Sequence, residues 1–165
     1  KVVVTSDVDT ETAKRCSIDY QVTNADGFSV SATRNVYVAD PTPSVISTGI
    51  HTTAEGTQRL WISSGAIVPF SGFKIIILQT EPGVFYISDF MGGYYDQRVG
   101  YGPNYAMTGY FKLNEDNTIS AISSLVPGWG DSLDELINSS VDPETGKIKY
   151  DLTYAGLMTY TIIIN

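Results

Sequence analysis

The chain has 165 residues, of which 42% are hydrophobic, 12% aromatic and 17% charged, a balance typical of a folded globular protein rather than a disordered one. Ten basic and eighteen acidic side chains leave a net charge of −8, which opposes attraction to phosphate backbones and anionic lipid, so nucleic acid is not an expected partner. A single cysteine, Cys16, and a single histidine, His51, exclude an intrachain disulfide, a cysteine metal cluster and any site that needs two imidazoles.

The dominant pattern is period-two alternation, which places successive side chains on opposite faces of a sheet. Ser17–Thr23 alternates cleanly, with Ile18, Tyr20 and Val22 on one face. Asn24-Ala25-Asp26-Gly27 follows as a turn, and Phe28–Val38 resumes extended structure. Asp-Gly between two alternating runs is a hairpin signal, because glycine accepts the positive φ of a tight turn. Asp40-Pro41-Thr42-Pro43 then interrupts the pattern. Its prolines lack backbone donors and favour extended geometry, as in a linker.

Beyond the prolines the alternation continues. Strands are expected over Gln58–Ile62, Phe73–Gln79, Val84–Ser88, Thr108–Leu113, Thr118–Ser123, Lys147–Leu152 and Met158–Ile164. Asn114–Asn117 and Asp142–Gly146 read as turns between neighbouring strands. Only Asp131–Ile137 reads as helical, with Asp131 or Ser132 as its cap and Leu133, Leu136 and Ile137 on one face. The fold class is therefore all-β. Residues 1–40 are expected to be the C-terminal part of an immunoglobulin-like domain, 41–43 a proline linker, and 44–165 an antiparallel β-sandwich or barrel.

The sequence opens on Lys1 with no apolar leader ahead of it, so a processed or trimmed chain is expected. Its longest aliphatic runs, Ile75–Leu78 and Ile162–Ile164, fall far short of the ~20 residues of a membrane helix, and no transmembrane segment is expected.

Two stretches resemble known bacterial surface modules. Asp19–Gly27 followed by Ala32–Asp40 is similar to the closing strands of bacterial surface immunoglobulin-like domains, with Phe28 at a position that is often polar there. Tyr86–Tyr95, Gly100-Tyr101-Gly102, Asn104-Tyr105, Asp116–Ile119, Trp129-Gly130-Asp131 and Asp142–Gly146 resemble a C-terminal module that follows such domains in Bacteroidetes cell-surface lipoproteins. The resemblance implies an extracytoplasmic, cell-surface location, with outer-membrane anchoring through a segment upstream of Lys1. It carries no catalytic residues over, and it links the chain to polysaccharide capture by association only.

The most unusual composition lies between Asp89 and Ala106, where Phe90, Tyr94, Tyr95, Tyr101 and Tyr105 alternate with Gly92, Gly93, Gly100 and Gly102. Tyrosine combines a rigid apolar ring with a polar tip, and sugars present apolar C–H faces ringed by hydroxyls. Tyr94, Tyr95, Tyr101, Tyr105 and Trp129 are the candidate ring contacts; Asp89, Asp96, Arg98 and Asn104 are the candidate polar contacts. These rings either meet a ligand or pack over a long loop, and Trp129 is either a stacking platform or the plug at one end of a sandwich. Trp61, within a strand pattern, is expected in the core.

Other chemistry has little support. Asp131, Asp134 and Glu135 read as charges at a helix start rather than an acid–base pair. Asp7–Glu11 and Asn114–Asn117 lack the spacing and closing glutamate of a calcium loop, so no metal or other cofactor is expected. His51 has no serine elbow to serve, and Cys16 has no resolving partner. The expected function is a non-catalytic surface module that binds polysaccharide or oligosaccharide. The alternative is a structural spacer or assembly domain that contacts other cell-surface proteins.

Overall fold

A computed structural model describes residues 1–165, an all-β chain of three antiparallel sheets. The first sheet holds β1 (Val2–Ser6), β2 (Lys14–Thr23) and β3 (Ser29–Val38) in that order. The Asn24–Gly27 turn closes the β2–β3 hairpin: Gly27 adopts φ 86°, and the Asn24 side chain accepts from the backbone of Asp26 and Phe28. Cross-strand register aligns Val2 with Val22, Val4 with Tyr20, and Tyr20 with Ala32. One face is thus apolar, while Ser17, Asp19, Gln21, Thr33 and Asn35 line the other.

The next ten strands form two sheets of five. β4 (Gly49–Thr52), β7 (Lys74–Glu81), β8 (Val84–Ile87), β9 (Thr108–Leu113) and β10 (Ile119–Leu125) make one, in the order β10-β9-β8-β7-β4. β5 (Gln58–Trp61), β6 (Ala66–Pro69), β11 (Glu135–Val141), β12 (Ile148–Tyr154) and β13 (Met158–Ile164) make the other, in the order β11-β12-β13-β5-β6. Their inner faces share one core: Ile75, Ile77, Phe85, Ile87 and Phe111 from the first meet Tyr150, Leu152, Tyr160 and Ile162 from the second. Of the two expected architectures this is the sandwich. Trp61 packs against the core while remaining half-buried, and its indole N–H donates to Ser63 Oγ at 2.8 Å.

The Asp131–Ile137 helix is not formed. Val126 N–H donates to the Asp131 carbonyl at 2.7 Å, and residues from Glu135 onward pair with β12 as an edge strand. Seven residues form too short a helix to be stable alone, whereas β12 offers a ready ladder. The acidic side chains bond to β12 and the turn after it: Asp131 accepts from the Tyr154 hydroxyl at 2.9 Å and Asp134 from Gly156 N–H at 2.8 Å.

The proline segment lies against the sandwich. Asp40 N–H donates to the Gln79 carbonyl at 2.8 Å, and Gln79 Nε2 donates to the Thr42 carbonyl at 2.8 Å. Gln79 is buried, so these bonds fasten the segment to β7. No helix is long and apolar enough to cross a membrane.

Candidate functional site

The Asp89–Ala106 connection between β8 and β9 is built from the inside outward. Asp89 is 1% exposed, and its carboxylate accepts from three backbone N–H groups: Met91 at 2.8 Å, Gly93 at 2.9 Å and Met107 at 3.0 Å. The side chain closes the loop by tying its start to its end. Burial pushes its pKa up to about 6, against the opposing pull of those donors. Just beyond, Tyr150 donates its hydroxyl to the Phe90 carbonyl at 2.9 Å. Gly92 and Gly93 take φ of 66° and 80°, and a Cβ on Gly93 would sit 2.7 Å from that of Phe73.

Tyr94 is the last residue of this inner half, 4% exposed, with its ring edge against Phe70 at 5.2 Å and Tyr160 at 5.6 Å. The Arg59 guanidinium lies 4.7 Å from its centroid, and that of Arg98 5.2 Å. Tyr94 and Asp89 are therefore corrected from the expected ligand contacts to interior supports: one ring is in the core, and one carboxylate is occupied by the backbone.

Tyr94–Val99 forms a single π-helical turn, ended by Gly100 at φ 83°, and Pro103–Tyr105 a short 3₁₀ turn. The wide turn carries the chain from core to surface. Tyr95 is half-buried, with its hydroxyl donating to Met158 Sδ at 3.4 Å. Its ring meets the edge of Trp129 at 4.8 Å and stacks near-parallel to Tyr101 at 6.1 Å. Tyr105 meets Trp129 at 4.9 Å and Tyr101 at 5.4 Å. Gly128 makes this approach possible: a Cβ there would fall 2.7 Å from the Tyr105 ring, and Gly128 N–H donates to the Asn104 carbonyl at 2.7 Å.

Four of the five expected rings thus meet beyond the core, with buried Tyr94 edge-on to Tyr95 at 5.1 Å beneath them, and Tyr101, Tyr105 and Trp129 line a shallow concavity. Tyr101 is 56% exposed and Trp129 41%. Trp129 caps the tyrosines and keeps an open face, combining features of both expected roles. Of the polar candidates, Arg98 and Asn104 are exposed, and half-buried Asp96 has its pKa raised by desolvation. Asp96 lines a different recess, between the loop and the first sheet, so it does not join the ring cluster's concavity.

Two supporting residues were not expected. Arg59 of β5 underlies Tyr94, and Gln97 clamps Lys74, accepting from its backbone N–H at 3.0 Å and donating to its carbonyl at 2.8 Å. Both partnerships join residues distant in sequence, so no local pattern marks them. His51 bonds through its ring nitrogens to the Ser47 and Asn165 carbonyls, and Cys16 is buried.

A search of curated proteins finds no match to the chain. Residues 40–165 match a protein family described as a C-terminal domain. The crystal structure of the lipoprotein BT2262 from Bacteroides thetaiotaomicron is similar to this chain with a TM-score of 0.92 and 49% sequence identity, over 99% of this chain and 81% of that one. Similarity at this level over nearly the whole chain shows common descent, and the chain belongs to the family of the BT2262 lipoprotein.

Proposed function

We propose that the chain is a non-catalytic module of a surface lipoprotein that contacts glycan through Tyr101, Tyr105 and Trp129. The observation that carries this reading is the exposure of Tyr101 and Trp129 in a cluster whose rings brace one another edge to face. A braced aromatic surface loses little freedom on binding, and its apolar faces suit the C–H faces of sugar rings. Arg98 and Asn104, exposed on the same connection, are the hydrogen-bonding groups assigned to the sugar hydroxyls. The relationship to a lipoprotein supports anchoring outside the cytoplasm, and the reading places that anchor in the outer membrane, upstream of Lys1.

Affinity electrophoresis against a panel of plant, host and microbial polysaccharides tests the reading. One polymer is expected to retard the intact chain and to lose that effect with Trp129→Ala or Tyr101→Ala at unchanged folding. No retardation by any polymer would move the weight to the second reading, a spacer or assembly domain that contacts other surface proteins. That reading is favoured by the apolar face of the first sheet, where Val2, Val4 and Val30 are 52%, 56% and 75% exposed.

A further inference from the structure

A second recess lies where the first sheet meets the sandwich, away from the ring cluster. Register determines its walls. Arg15 pairs with Tyr37 and Ser17 with Asn35, so Arg15, Tyr37 and Asn35 share the polar face of the first sheet. Opposite them, the outer face of the sandwich carries Ile50 beside Ile76, and Leu78 beside Tyr86. Between these surfaces is a cleft of about 290 Å³, close to the lower end of the ~300–1,000 Å³ typical of small-molecule sites.

Two cations line this cleft against a single carboxylate, Asp96, and neither forms an ion pair. Arg15 and Lys74 both line it, yet the chain's one ion pair joins Lys14 to Asp9 at 3.8 Å. Arg15 is held through its side chain and Lys74 through its backbone. Arg15 Nη2 donates to Asn35 Oδ1 at 3.1 Å, and the two bonds from Gln97 fix the backbone of Lys74. Arg15 also lies near enough to the Tyr86 phenol for its charge to oppose the upward pKa shift that burial imposes. In a protein of net charge −8, a recess with two cations and one carboxylate is a local reversal of sign.

The rest of the lining narrows the ligand. Ile76 and Tyr86 supply an apolar wall, while Asp96 supplies an acceptor suited to hydroxyl groups. One carboxylate, several hydroxyls and an apolar C–H face on a single six-membered ring would meet all of these groups at once. We infer that the cleft between the first sheet and the sandwich is a binding site for a uronic acid residue, with Arg15 and Lys74 on its carboxylate, Asp96 on its hydroxyls, and Ile76 and Tyr86 against its ring. This site is distinct from the Trp129 platform, and it holds whether or not that platform binds neutral glycan.

The test is an NMR titration of the whole chain with digalacturonate, beside a neutral galactose disaccharide and a dialanine peptide with a free carboxylate. Digalacturonate is expected to shift the amides of Asn35, Lys74 and Thr108, and the other two probes to leave them in place. Arg15→Gln and Lys74→Gln are each expected to weaken binding at least tenfold, and Trp129→Ala to leave it unchanged. Lys74 is exposed, so its variant retains the fold even if Arg15→Gln loosens the contact between the sheets. The inference is overturned if digalacturonate leaves the cleft amides unmoved or if the neutral disaccharide shifts them equally. It is also overturned if the peptide binds as tightly, or if Lys74→Gln binds like the intact chain.

Discussion

Tyr94 and Tyr101 belong to the same glycine-rich connection and have the same chemistry, yet the structure uses them in opposite ways. Tyr94 is 4% exposed and packs among Phe70, Tyr160 and Arg59; Tyr101 is 56% exposed, and its ring neighbours are Tyr95, Tyr105 and Trp129 of the surface cluster. The difference originates at Asp89. Its three backbone hydrogen bonds hold the start of the connection down in the core, and the π turn then lifts the remainder to the surface. An anchored base beneath an open rim is how a loop can display side chains without paying the full entropy of ordering them on binding.

The comparison breaks most sharply at the base. Tyr94→Ala removes a buried ring and is expected to cost about 3–5 kcal/mol in denaturant unfolding. Asp89→Ala strands three buried N–H groups, and a loss of roughly 3 kcal/mol is expected in the same measurement.

Asp89 also gives the base a pH signature. Its folded pKa, about 6, lies above the ordinary carboxylate value of 3.8, so the folded state holds the proton more tightly than the unfolded chain. The stability this group contributes is full below pH ~3.8 and is lost as pH rises through about 6, on the order of 3 kcal/mol in all. Asp9, Asp40, Asp116 and Asp142 have lowered values from hydrogen bonds to neighbouring turn residues, and they act in the opposite sense below pH ~3.8. Unfolding midpoints measured between pH 4.5 and 7 should therefore fall with rising pH in the intact chain. That trend should flatten in Asp89→Asn, which has no carboxyl group to titrate.

At the rim, Tyr101→Ala should change stability by less than about 0.5 kcal/mol, the range of ordinary surface substitutions. If it costs as much as Tyr94→Ala, the rim is structural and the platform reading loses its support.

Alternation made much of the fold legible. It identified the β2–β3 hairpin through its apolar and polar faces, and Thr108–Leu113 and Met158–Ile164 without error, because these two alternate more and less buried positions along a regular ladder. β1, β4 and β6 are short and lie at sheet edges, with too few residues to show a period. Asp131–Ile137 misled because its leucine spacing fits a helix locally, while the free edge of β12 decides in favour of a strand.

The aromatic loop was equally legible in part. Its composition marked the segment and Trp129 together as unusual, but composition does not distinguish an inward tyrosine from an outward one. The all-β class, the main hairpins and the chemistry available in the Asp89–Ala106 connection are written in the chain, because they depend on neighbours two to four residues apart. Folding in three dimensions is what makes Asp89 and Tyr94 interior supports, joins Trp129 to three tyrosines, and brings Arg15 and Lys74 to one cleft. Those outcomes depend on contacts between distant strands, where register and loop closure select which of several equivalent side chains meets the core, the solvent or another charge.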